Sequence, residues 1–159
     1  ELNLDIPAGV LADVDGAALA RQKLASAATA TVKAGKQAVP FDEWEPKRQL
    51  AALEEVYKQQ FGSKPEIPEA EAAPDTEDTS RKEKRAAKKS AESDWLEAQL
   101  LPKFQPTPAE LAALGQARGE AVQDALLKGG TLDPARVFLT PNAALKENDG
   151  KVRMQLAMK

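Results

Sequence analysis

Residues 107–128 read TPAELAALGQARGEAVQDALLK; Gly129-Gly130 and the short β-type run 136–140 follow. Thr107-Pro108-Ala109-Glu110 is a helix start. The threonine hydroxyl can accept from the amide three residues on, Glu110 can reach back, and proline at the first helical position sacrifices no hydrogen bond. Leu111, Leu114, Val122, Ala125 and Leu126 share one side of the helix. Lys128 suits the negative helix end, and Gly129 suits a left-handed cap. A helix that stops at a double glycine and passes at once into a strand needs a sheet for that strand to join. The two ends of the chain supply the candidates. Leu2, Leu4 and Ile6 alternate with Asn3 and Asp5, while Val152, Met154, Leu156 and Met158 alternate with Arg153, Gln155 and Ala157. Period two is the mark of a half-buried strand. The expectation is one sheet from strands near 2–6, 136–140 and 151–158, with a short fourth near 37–41. The strands 136–140 and 151–158 would form an antiparallel hairpin whose connection is longer than a tight turn and contains the turn signal Asn148-Asp149-Gly150.

Helices fill the space between the chain ends. One is expected over 16–33, capped by Asp13 or Asp15. Another should run from Asp42 or Trp44 to Phe61, with Pro46 in its first turn. Leu50, Leu53, Tyr57 and Phe61 form its inner face, and Gly62 its stop. Residues 63–80 hold three prolines and six acids, too little apolar matter for a core. Residues 81–89 hold six bases against one acid. Together, 63–91 reads as a flexible charged insert, its basic part a solvated helix leading into a segment 92–101 anchored by Trp95, Leu96 and Leu100. These elements predict an α+β fold, a small mixed sheet covered by helices with an inserted helical layer, as a single domain over 1–159.

Composition excludes several functions. The chain has no cysteine and no histidine, which removes disulfides, thiolate chemistry, His-ligated zinc and the commonest general base. Phosphate-cradling glycine loops and zinc spacings are absent, and no carboxylate pair stands out as an acid and a base. No enzyme activity, metal or cofactor is expected. With a net charge of −3, no nucleic-acid partner is expected either. No apolar run approaches the roughly 18 residues of a membrane span. The first residue is Glu1, which reads as a piece of a larger protein, upstream of which there is room for a signal or anchor.

Arg118 is the residue whose position asks for an explanation. It stands four residues after Leu114 and four before Val122, on or beside the apolar stripe. Three readings are open. Its stem can pack while the guanidinium reaches water, it can pair with a carboxylate of the chain, or its planar fork can hold a carboxylate ligand. Asp5, Asp13 and Asp15 are the candidate partners, and Asp13 and Asp15 join Arg118 as candidate ligand-binding residues. Gly115 and Gly119 flank the arginine at a spacing of four. They allow either tight helix–sheet packing or close approach of a ligand.

Four stretches carry a family resemblance: ADVDGAALARQKLA (12–25), QLAALEEVYKQQF (49–61), DWLEAQLLPKFQPTPAELAALGQARGEAVQDALL (94–127) and LDPARVFLTPN (132–142). They resemble the C-terminal region of the large AsmA-like envelope proteins of Gram-negative bacteria, a domain of unknown function behind a β-rich periplasmic body and a membrane anchor. The closing KVRMQLAMK looks like that family's C-terminus. The resemblance implies a periplasmic, membrane-anchored parent with a part in envelope integrity or lipid transport. Envelope proteins, lipid or peptidoglycan would then be its partners. A more distant similarity is to the peptidoglycan-binding module of outer-membrane protein A, with Leu114, Arg118, Val122, Gly130, Asp133, Pro134 and Arg136 at matching positions. It implies a β-α-β-α-β-β-like framework. It also implies that Arg118 grips the diaminopimelate carboxylate together with an aspartate after the first strand, for which Asp13 and Asp15 lie in the right region. The module's usual serine and alanine are replaced by Gly115 and Gly119, and its threonine-aspartate loop is missing.

Overall fold

A computed structural model describes residues 3–32, 39–68, 80–130, 132–141, 145–149 and 151–158. The chain is α+β. Its described elements are β1 (Leu4–Ala8), α1 (Ala12–Thr31), α2 (Pro46–Phe61), α3 (Arg81–Leu100), α4 (Pro108–Lys128), β2 (Val137–Pro141), β3 (Lys146–Asn148), β4 (Lys151–Arg153) and β5 (Ala157–Met158). It divides into two compact units, residues 1–19 with 106–159 and residues 20–105, so the division falls inside α1.

The first unit is built on β1. This strand lies between β2, parallel to it, and β5, antiparallel to it. The chain ends therefore meet in one mixed sheet, as the period-two runs imply. The pairing differs from the expected hairpin between 136–140 and 151–158. β2 and β5 lie on opposite sides of β1, in the register Leu4↔Val137, Ile6↔Leu139 and Leu4↔Met158. The expected strand 151–158 is also broken in two. Its first part, β4, folds back on β3 in the register Lys146↔Arg153 and Asn148↔Lys151. Asp149 takes a positive φ of 51°, a conformation that aspartate tolerates better than most residues. Pro7 helps explain why β5 is short: it has no N–H to give, and β5 accompanies β1 only along Leu4 and Asp5. The end of the alternating run stays outside the core, with Leu156 and Met158 exposed.

α4 covers the face of the sheet that carries Ile6 and Ala8. Its capping box forms as the sequence dictates: Thr107 Oγ1 accepts from the Glu110 amide at 3.2 Å, and the Glu110 carboxylate accepts from the Thr107 amide at 2.6 Å. At the other end Gly129 stays helical, and Gly130 takes the left-handed turn at φ 66°. The contact with the sheet runs through the two interior glycines. A Cβ at Gly115 would lie 3.1 Å from the backbone of Gly9, and one at Gly119 would lie 2.9 Å from Ala8 Cβ and from Leu139 Cδ2. This is the packing use of the glycines, with helix and strand nearly backbone to backbone.

The second unit has its own core. Leu24 and Ala28 of α1, Trp44, Leu50, Ala52, Leu53 and Val56, and Leu96 and Leu100 of α3 are buried together. The α1 contribution was hard to see because its buried residues are mostly alanines, Ala20 and Ala28, spaced four apart around Leu24. α2 starts at Pro46, and its inner face is Leu50, Ala52, Leu53 and Val56. Phe61, expected on that face, is exposed and stacks on Tyr57 at 4.4 Å. Trp44 is buried, with Nε1 donating to the Val39 carbonyl at 3.0 Å and the Arg48 guanidinium over its ring at 4.1 Å. Ser80 and Glu83 form a second capping box, and α3 runs unbroken from Arg81 to Leu100, so the basic part of the expected insert is the solvated helix that leads into 92–101 rather than a flexible stretch. Residues 69–79 of that insert lie outside the described residues. So do 33–38, which include the first two residues of the place considered for a fourth strand; the rest of it, Val39 to Phe41, holds no strand, and Phe41 enters a short 3₁₀ turn instead.

The packing at Gly119 yields a stability test. Gly119→Ala adds about 1 kcal/mol of helix propensity but forces a methyl into Ala8 Cβ, an overlap that costs about 1–3 kcal/mol. Denaturant unfolding should show a net loss near 1 kcal/mol, and a variant more stable than the parent would contradict this packing.

Candidate functional site

The candidate site grows from the start of α1. Its first turn carries two acids, Asp13 and Asp15, where the unpaired amides of a helix N-terminus favour negative charge. They sit inside the helix rather than capping it from outside, because α1 begins at Ala12. The Asp15 side chain turns back, and Oδ2 accepts from the Leu11 amide at 2.7 Å while the Asp15 amide donates to the Leu11 carbonyl at 2.8 Å. Asp15 thereby closes the helix end from within. Asp13 is exposed.

Arg118 reaches the same carboxylate from α4. Nη1 donates to Asp15 Oδ2 at 2.8 Å and Nη2 to Oδ1 at 2.5 Å. Both carboxylate oxygens meet both terminal nitrogens, the two-pronged geometry that distinguishes arginine from lysine. The Asp15 side chain is 3% exposed and that of Arg118 is 29% exposed. Of the three readings of Arg118, the geometry selects the partner within the chain. Of the three aspartates considered, it selects Asp15. Asp5 stands in β1, in register with Phe138 and Ala157.

The electrostatics follow from the contacts. The hydrogen bonds from Arg118 hold the Asp15 carboxyl below its ordinary value against the opposing effect of burial, and the Leu11 amide pulls the same way. Asp15 in turn raises the already high pKa of Arg118. The pair is therefore fully ionised at neutral pH, with the aspartate simultaneously serving the helix N-terminus. Chemically it is a fixed carboxylate–guanidinium clasp. Among the described residues no group of three or more acids stands together as a metal site.

A second feature of the first unit was not singled out from sequence. An open cleft is lined by Pro7 of β1, Lys146 and Arg153 of the β3–β4 hairpin, and Met154 and Gln155 after it. Lys146 and Arg153 are direct cross-strand partners, which sets two like charges on one side of the ribbon. The signal was available in the two bases placed symmetrically about Asp149-Gly150, but only the tight hairpin register reveals it.

Among the described residues no helix is long and apolar enough to cross a membrane. Comparison of the chain with protein-family models, curated proteins and solved structures finds no match.

Two outcomes test the clasp. Arg118→Met leaves a buried carboxylate without its main partner, and it should lower stability by about 2–3 kcal/mol, between the worth of an exposed and a fully buried pair. The pH dependence has a defined sign. Because the folded Asp15 carboxyl lies below its unfolded value, the pair's contribution is complete above the unfolded value and is lost as pH falls through the folded one. The stability difference between parent and Arg118→Met should stay constant from about pH 8 to about pH 5 and shrink below about pH 4. A difference unchanged in acid would remove Asp15 from the account.

Proposed function

We propose that this chain is a non-enzymatic periplasmic domain of an AsmA-like envelope protein of Gram-negative bacteria, with a role in envelope integrity or in lipid traffic between the two membranes. The family part of this reading rests on the resemblance of the four stretches quoted above. The observation that carries the non-enzymatic part is the Asp15–Arg118 clasp. The most conspicuous charged residue of α4 spends both terminal nitrogens on a carboxylate of its own chain. In this reading the clasp fastens α4 to the start of α1, and the domain acts through its surfaces.

A second reading has its own support. Arg118 and an aspartate that follows β1 stand face to face, the pairing that the similarity to the peptidoglycan-binding module implies, and the arginine side chain keeps 29% of its surface in water. A diaminopimelate carboxylate would then have to share or displace Asp15, giving up a bond geometry already satisfied. The first reading avoids that cost.

Titration of the isotopically labelled chain with diaminopimelate separates the two. The clasp reading predicts no saturable amide shift around Arg118 and Asp15 at millimolar ligand, whereas peptidoglycan binding requires one. In cells, removing this domain from the parent protein should raise outer-membrane permeability to bulky antibiotics, and unaltered permeability would count against the envelope role.

A further inference from the structure

Lys146 and Arg153 form the row of the β3–β4 hairpin farthest from its turn and stand directly opposite one another. Side chains in such a row start from Cβ atoms about 4.5–5.5 Å apart, and like charges placed there destabilise a ribbon. Lys151, two residues before Arg153, has the same phase and adds a third base to that face. The middle row, Glu147↔Val152, has the opposite phase, and Val152 is half-buried. Lys146, Lys151 and Arg153 are exposed. Among the described residues none of these three side chains has an ion-pair or hydrogen-bond partner. Arg153 thus differs from Arg118, whose terminal nitrogens are both taken by Asp15.

The unrelieved pair also lines a cavity. The cleft beside Pro7 has a volume of about 560 Å³, within the range of about 300–1,000 Å³ of small-molecule sites. Its lining, Pro7, Lys146, Arg153, Met154 and Gln155, includes no acid. Lysine and arginine side chains only donate hydrogen bonds, and the glutamine amide offers two further donors. Pro7 and Met154 are half-buried and form the apolar part of the wall. The cleft is therefore doubly cationic, rich in donors and apolar on one side.

We propose that this cleft binds a phosphate monoester whose substituent is apolar. The charge decides between anions. A phosphate monoester carries about −1.5 to −2 charges at neutral pH, enough to offset both cations, whereas one carboxylate leaves a net positive charge behind. Phosphate oxygens accept from the arginine fork and from the lysine ammonium at once. The substituent lies against Pro7 and Met154, which inorganic phosphate would leave uncovered. A nucleic-acid strand fits less well, because it needs bases set along a track and aromatic side chains for stacking, and the lining has no aromatic. The ligand relieves the cross-strand repulsion, so binding also steadies the hairpin. This inference rests on neither reading of Arg118 nor on the AsmA-like resemblance, and each can fail without the others.

The test is a titration of the isotopically labelled full chain with hexyl phosphate, read from amide shifts. Saturable shifts at Lys146, Arg153 and Gln155 at millimolar ligand are the expected result. Inorganic phosphate should bind at least about tenfold more weakly, the worth of two buried methylenes. The double variant K146Q/R153Q should weaken hexyl phosphate at least about tenfold. It removes a like-charge pair, so it should unfold at no lower denaturant concentration than the parent, and the lost binding is then not lost folding. A control of equal charge change at exposed lysines outside the first unit, K47Q/K64Q, should keep the affinity within about twofold. Displacement of hexyl phosphate by phosphatidate vesicles, and not by phosphatidylcholine vesicles, identifies a lipid headgroup as the source of the monoester; displacement by neither identifies a soluble ester. The proposal is overturned if the shifts do not saturate, if the two double variants bind alike, or if inorganic phosphate or hexanoate binds as tightly as hexyl phosphate.

Discussion

The first unit depends on how closely α4 can approach β1. Two glycines one helical turn apart remove the side chains that would hold the helix off. At Gly119 the strand is near enough that even a methyl group would collide with Ala8 and Leu139. Arg118 is next to that contact in sequence, and its guanidinium closes on Asp15 at the start of α1. Helix–strand distance and ion-pair geometry are thus set by adjacent residues of one turn. A change that lifts α4 from the sheet also pulls the fork from its carboxylate, and a change that breaks the fork loosens the helix that β1 rests on. Asp15 adds a third link, because the oxygen that receives Arg118 also receives the Leu11 amide. One carboxylate joins the end of one helix to the middle of another.

This coupling bears on function through what it leaves available. A buried carboxylate that accepts three hydrogen bonds and has a depressed pKa is a poor proton shuttle, and its arginine is already engaged. Exposed charge lies elsewhere in this unit, as at the Lys146–Arg153 pair of the cleft beside Pro7.

Much of this arrangement was legible from residue spacing. The Thr107 capping box, the left-handed Gly62, the helix placed between Pro46 and Phe61, and the meeting of residues 2–6 with 136–140 all follow from local chemistry or simple periodicity. Arg118 could be singled out, and Asp15 named among its partners, because a charge beside an apolar stripe demands an explanation. The parts that were not legible depend on non-local competition. Alternation along 151–158 cannot reveal that 151–153 pair with β3 and that only Ala157–Met158 remain for β1. Alanine-rich α1 gives almost no apolar contrast, so the burial of Ala20 and Ala28 follows from close packing rather than from a visible stripe. The early start of α3 rests on a Ser80–Glu83 cap that lies within a run of charges resembling an unstructured insert.

The account stands most directly on the contact between β1 and the glycine turn of α4. Nuclear Overhauser spectroscopy on the methyl-labelled chain reads that contact without any substitution. Strong cross-peaks from the Ala8 methyl to the Gly119 α-protons and to the Leu139 methyls are the expected result. A spectrum in which Ala8 shows no proximity to Gly119 would contradict the packing, and with it the geometry that brings Arg118 to Asp15.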